Sequence, residues 1–223
     1  MFALDRDLLL YEPGLFREVA WAGQMLVRNE ACSVSANGTT VTIAGADLQA
    51  LSVQPGMVAQ LSTLGACEVT SVIAATQMNV SRLRARLSDD PLPITTSTTS
   101  DNVTIQTFTP QIALIHDVLL ASLGLVADDA IGAAGDVSTG AVEERQVLNA
   151  RELAPLEALG ALHLVYASAA PLAGPNSILW TKAEMYRDRF ARAKARAAAA
   201  IDLDGDGVVD AVRQASVVRF QRG

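Results

Sequence analysis

The stretch "SVSANGTTVTI", Ser33 to Ile43, sets two Val/Thr-rich runs on either side of Asn37-Gly38. Val, Thr and Ile suit a pleated, half-buried surface, and Asn-Gly accepts the positive φ that both central residues of a type I′ turn require. The stretch therefore predicts a β-hairpin. Downstream, "VQPGMVAQLSTLGACEVTSVIAATQMNVSRLR" (Val53 to Arg84) continues with Pro55-Gly56 as a turn and short strands through Val69, Val72 and Val80. After the polar loop "SDDPLPITTSTTSDN", the run "VTIQTF" (Val103 to Phe108) supplies a last strand. Short strands at this spacing predict a small antiparallel β-barrel or sandwich over residues 31–108. Asp89-Asp90 before Pro91 reads as turn chemistry.

Helical period flanks this module on both sides. Residues 1–30 read as an N-terminal helical region punctuated by Glu12-Pro13-Gly14, with Leu15, Val19, Ala22 and Leu26 at helical spacing and Trp21 in a core or interface. Residues 109–200 read as a helical bundle domain. It opens at Thr109-Pro110, where Thr can cap and Pro suits the first helical position, and Ile112, Ile115, Val118, Leu119 and Leu123 fall on one side before Gly124. The Gly-rich acidic segment "ADDAIGAAGDVSTGAVEERQ" (127–146), with Asp128-Asp129, reads as a long exposed loop ordered by a partner. "LEALGALHLVYASAA" predicts a helix from near Pro155 to before Pro171, burying Leu156, Leu159, Leu162, Val165, Tyr166 and Ala169.

The next helix, "ILWTKAEMYRDRFARAKARAAAA" (178–200), carries a narrow seam of Ala183, Tyr186, Phe190, Ala193 and Ala197 suited to close packing. Arg187, Arg189, Arg192, Lys194 and Arg196 occupy much of the remaining face. That face fits an acidic partner or a nucleic-acid backbone, or else plain solvent. The expected architecture is thus α+β: a helical bundle with an inserted small antiparallel β-barrel or sandwich.

Charge and composition narrow the function classes. Of the 223 residues, half are hydrophobic but only 4% aromatic, so Ala, Leu and Val must build the core. The net charge of -7 is uneven. Residues 177–223 hold nine Lys/Arg against six Asp/Glu and residues 1–176 hold eight against eighteen, leaving the first part at +3 and the second at -10. Such a chain lacks the concentrated basic face of a free DNA-binding domain. Cys32 and Cys67 match no metal spacing and read as buried fillers. The apolar run 158–174 includes His163, Ser168 and Pro171, which argues against a membrane span, and the first residues lack a secretory pattern. No enzyme is expected: His116 and His163 each sit in an apolar helical context, and no phosphate loop or nucleophile elbow is present.

The segment 201–223 carries the most specific pattern. "IDLDGDGVVD" matches the opening of a calcium loop, with Asp202, Asp204 and Asp206 as oxygen donors, Gly207 at the sharp turn, the Val208 carbonyl, and Asp210 at the ninth position. The twelfth position is Arg213 instead of a bidentate Glu, so the main closing ligand is missing. The alternatives are a weak structural calcium ion or an acidic turn into a C-terminal strand, "ASVVRFQR".

The compact helix, the longer basic helix with "WTKAEMYRDRF", the acidic turn and the closing "VVRFQRG" together resemble head-to-tail connector (adaptor, neck) proteins of tailed bacteriophages, over roughly residues 110–223. The resemblance implies a structural virion protein: a homo-oligomeric ring of about twelve copies between the portal protein and a tail or head-completion protein. DNA would pass through the ring without specific binding and no membrane would be involved. Assembly would take place in the bacterial host cytoplasm, with the protein ending in the virion neck. Carried onto this chain, Tyr186 and Phe190 become bundle core, and Val217, Val218 and Phe220 form a docking strand or tail; the basic helix face itself offers Arg187, Arg189 and Arg192 for partner binding. The alternative function is a calcium-dependent binding module.

Overall fold

The structure is a computed structural model that describes residues 1–19, 24–127, 142–174 and 176–216. By internal contacts the chain divides into two units, one of Leu4–Thr109 and one of Met1–Ala3 with Pro110 onward.

The first unit is a closed barrel. Strands β1 (Met25–Val34), β2 (Thr40–Ile43), β3 (Val58–Leu61), β4 (Gly65–Ala74), β5 (Gln77–Ser81) and β6 (Thr99–Gln106) pair in the order β1-β2-β5-β4-β3-β6, and β6 returns to β1. Every pairing is antiparallel. Closure removes the edges that an open sheet would offer to another chain. The long strands β1 and β4 each serve two neighbours, and both bend at register shifts; in β1 the shift lies near Asn29, whose φ is 50°. Alternate residues point inward, so Val34, Val41, Ile43, Leu61, Met78, Val80, Val103 and Ile105 fill a core fully removed from water. Each such side chain contributes about 1.5–3 kcal/mol. Cys32 and Cys67 are free thiols in that core, and burial pushes Cys67 up to about 12 and Cys32 to about 11.

The opening hairpin forms with the register Val34↔Val41 and Cys32↔Ile43, but its turn is not type I′. Of Asn37 and Gly38 only Gly38 has positive φ, at 68°. The loop is four residues long: the Gly38 amide donates to the Ser35 carbonyl and the Ser35 amide to the Thr40 carbonyl, both at 2.9 Å. Asn37 instead uses its Oδ1 to accept from the Thr39 amide at 3.1 Å and from the Ser35 hydroxyl. A side chain bonding its own turn in this way holds its backbone out of the left-handed region.

The second unit holds α3 (Thr109–Leu123), α4 (Ala150–Ala169) and α5 (Ile178–Lys194), with two small sheets. Leu125–Val126 (β7) lies parallel to Val142–Glu143 (β8), and Ala198–Ile201 (β9) lies antiparallel to Ala211–Gln214 (β10).

The expected helical bundle is not what forms. Six strands closed into a barrel dominate half the chain, and among the described residues the N-terminal region 1–30 supplies single helical turns, α1 (Asp5–Leu8) and α2 (Leu15–Glu18), before β1 begins at Met25. Leu26 therefore belongs to a strand, while Trp21 and Ala22 lie outside the described residues. The predicted long basic helix stops at Lys194, and Ala198–Ile201 is extended. Alanine prefers helix, but Asn149 overrides it: its Oδ1 accepts from the Ala200 amide at 2.8 Å and its Nδ2 donates to the Ala198 carbonyl at 3.0 Å. A strand forms at Ala211–Gln214; of the expected strand "ASVVRFQR" only Ala215 and Ser216 are among the described residues. The α+β mixture remains.

Candidate functional site

Helix α4 is the spine of the second unit, with Leu153, Leu156, Leu162, Val165 and Tyr166 buried. With the turn that follows, Ala150–Ala173 is long and apolar enough to cross a membrane, yet 61% of its apolar window is buried inside the protein, as suits a core helix. Gly160 lets α4 approach its neighbours: a Cβ there would stand 2.7 Å from Ile115 Cγ2 and 3.0 Å from Phe190 Cε2.

Helix α5 leans on α4 along the expected seam. Ala183 and Tyr186 are buried, Phe190 and Ala193 half-buried, and the Tyr166 and Tyr186 rings stack at 5.8 Å. Most of the rest of α5 is exposed, Arg187, Arg189 and Arg192 included. Arg187 Nε lies 3.3 Å from Asp188, Arg192 Nε donates to the Asp188 carbonyl at 3.2 Å, and Arg189 sits over the Tyr186 ring at 5.5 Å. Exposed contacts of this kind contribute at most about 1 kcal/mol, so they leave the guanidinium face available to a partner. At the N-terminal end of α5 the surface turns apolar: Leu172 is 83% exposed, Ile178 66% and Trp180 43%. An open cleft of about 720 Å³ lies here, lined by Pro171, Ser177, Trp180, Thr181 and Glu184 among others. Val217, Val218 and Phe220 fall outside the described residues.

The acidic loop joins β9 to β10. Carboxylate oxygens of Asp202, Asp204 and Asp210 lie within 4.8 Å of one another, close enough to share a hard cation. Asp206 is not part of this group; its Oδ1 accepts from the Val208 amide at 2.7 Å. The Gly207 amide at 2.8 Å, then the Gly205 amide at 2.7 Å, hold the Asp202 carboxyl below the usual carboxylate range. Gly205 and Gly207 supply the left-handed backbone, at φ of 82° and 83°. Arg213, at the position where a calcium loop closes, turns elsewhere and donates to the Leu123 carbonyl at 3.3 Å and to the Gly124 carbonyl, capping α3.

Two buried charge clusters went unread in the sequence. In the second unit, His116 on α3 lies between carboxylates: Nδ1 is 3.0 Å from Glu157 Oε1 and Nε2 is 3.1 Å from Glu144 Oε2. Burial lowers the His116 pKa, but contact with Glu157 and Glu144 outweighs it and the net shift is upward. In the barrel unit, Glu68 is fully buried between Arg6, 2.6 Å from its Oε2, and Arg84. Nothing local announces either cluster, because the partners lie far apart in the chain. The one readable signal is a carboxylate at an apolar position, Glu157 within "LEALGAL" and Glu68 within "ACEVTSV". His163, by contrast, keeps its Nδ1 within 3.1 Å of the Ala183 carbonyl, a packing role.

Comparison with known proteins leaves the assignment to this geometry: no family model, no curated protein and no solved structure matches the chain.

Proposed function

We propose that the chain is a structural assembly subunit, a head-to-tail connector that joins copies of itself into a ring between a portal protein and a tail or head-completion protein. The observation that carries this reading is α5: of its seventeen residues only Ala183 and Tyr186 are fully buried. A helix packed along one side only, with a basic face and an apolar corner at Leu172, Ile178 and Trp180, is built to be covered by another molecule on its outer side. The acidic excess of residues 1–176 suits a passage for DNA, because like charge prevents a passing phosphate backbone from sticking. Basic α5 would then face acidic protein and not the channel.

The test is cryo-electron microscopy of particles carrying this chain. Density at the portal-tail junction is expected, and Arg189→Glu with Arg192→Glu should leave the fold intact while abolishing incorporation. Density away from that junction sinks the reading. A second reading, a calcium-dependent binding module, rests on the convergence of Asp202, Asp204 and Asp210. Under it, calorimetry detects calcium binding that Asp204→Ala removes, and absence of any heat of binding eliminates it.

A further inference from the structure

We infer that His116 is the pin of a proton-controlled latch that holds the Met1–Ala3 segment onto the unit formed by α3, α4 and α5. His116 is only 5% exposed. The charged groups that face it come from three places: Glu157 on α4, Glu144 in the 3-10 turn Glu144–Gln146, and the Met1 ammonium, 3.0 Å from Glu144 Oε1. On its own helix the neighbouring charge is Asp117, which is exposed. The Phe2 ring meets the imidazole edge-on at 4.9 Å.

Both ring nitrogens thus lie within 3.1 Å of carboxylate oxygens, as close ion-pair contacts and not as aligned hydrogen bonds. An imidazolium places a positive charge beside both carboxylates, whereas a neutral imidazole removes that charge and leaves a ring-nitrogen lone pair near one of them in a site with little water to screen the repulsion. The site is matched to the doubly protonated ring. The consequence reaches the segment through Glu157, which is fully buried and whose other oxygen accepts from the Phe2 amide at 2.7 Å and the Ala3 amide at 2.5 Å. Loss of the His116 proton to solvent removes the cation that lies against the carboxyl group holding those amides. The raised His116 pKa agrees with this arrangement. Its sign follows from linkage: the stabilisation is full below the ordinary value of 6.5 and is lost as pH rises through the higher folded value.

The experiment is nuclear magnetic resonance on the intact chain with ¹⁵N-labelled histidine, from about pH 5 to about pH 9, with hydrogen exchange of the Phe2 and Ala3 amides followed in parallel. We expect His116 to carry a proton on both nitrogens at about pH 6 and to lose one as the pH rises. Protection of the two amides, corrected for base catalysis, should fall about ten-fold or more across its titration. The Val41 amide in the barrel should not follow. In His116→Gln the same protection should be low and independent of pH. A singly protonated His116 at about pH 6, or amide protection that is flat through its titration, overturns the latch. If His116→Gln does not fold, the wild-type titration alone gives either result.

Discussion

Gly38 carries two constraints at once. Its φ of 68° favours glycine, and a Cβ built on it would lie 1.9 Å from the Thr95 carbonyl oxygen, which the Ile94 amide helps position by donating to the Gly38 carbonyl at 2.9 Å. Gly38→Ala should therefore cost about 3 kcal/mol in chemical denaturation, whereas Asn37→Ala, which loses two hydrogen bonds at an exposed tip, should cost about 1 kcal/mol. The Asn-Gly pair made the hairpin legible; the close approach of a segment nearly sixty residues away made its turn type illegible. Glu68 shows the same limit. Removing its charge in Glu68→Gln leaves two buried guanidinium groups uncompensated, and the expected loss is about 3–5 kcal/mol, read from the shift in the denaturation midpoint.

At the scale of elements, legibility followed local chemistry. Helix α3 stops at Leu123, before a left-handed Gly124, as expected, but Thr109 is its first helical residue and not its cap, and the Thr109 amide donates to the Thr107 hydroxyl at 3.0 Å. The β9 strand was missed because its alanines carry no strand signal; the Asn149 side chain and the β10 partner supply the pairing. Asn149→Ala should accordingly destabilise the second unit by about 1–2 kcal/mol, with faster amide exchange at Ala200. For α5 the periodicity of Ala183, Tyr186 and Phe190 revealed the inner seam, while the sequence left open whether its arginines meet solvent or a partner. Trp180→Ala should cost about 1 kcal/mol of thermal stability, because the side chain is 43% exposed, yet it should weaken assembly far more. Of the candidate cation site, the aspartate spacing was legible, but the exclusion of Asp206 and the diversion of Arg213 to cap α3 depend on how the loop closes in space.

Across the whole molecule, acidity should first help and then harm. Asp5, buried in the barrel unit where it accepts from the Phe108 amide at 2.8 Å, is pushed up to about 6 from 3.8 by burial, against the hydrogen bonds of Thr107 and Phe108. Its folded value exceeds its unfolded one, so keeping it ionised penalises the fold above about pH 6, and acidification toward 3.8 removes a penalty of about 3 kcal/mol. His116 acts in the same direction in the other unit. Asp202, held low by the Gly207 amide, acts oppositely: its stabilisation is present above the unfolded value and is lost as pH falls through the lower folded one. Thermal melts should peak between about pH 4 and pH 6, and Asp5→Asn should flatten the neutral side of that profile. That this chain exists to assemble is checked by measuring the mass of the purified chain mixed with the portal protein of its own genome. The expected result is a discrete closed complex containing many copies of both, lost on Arg189→Glu with Arg192→Glu; a chain that stays alone in the presence of the portal protein would contradict it.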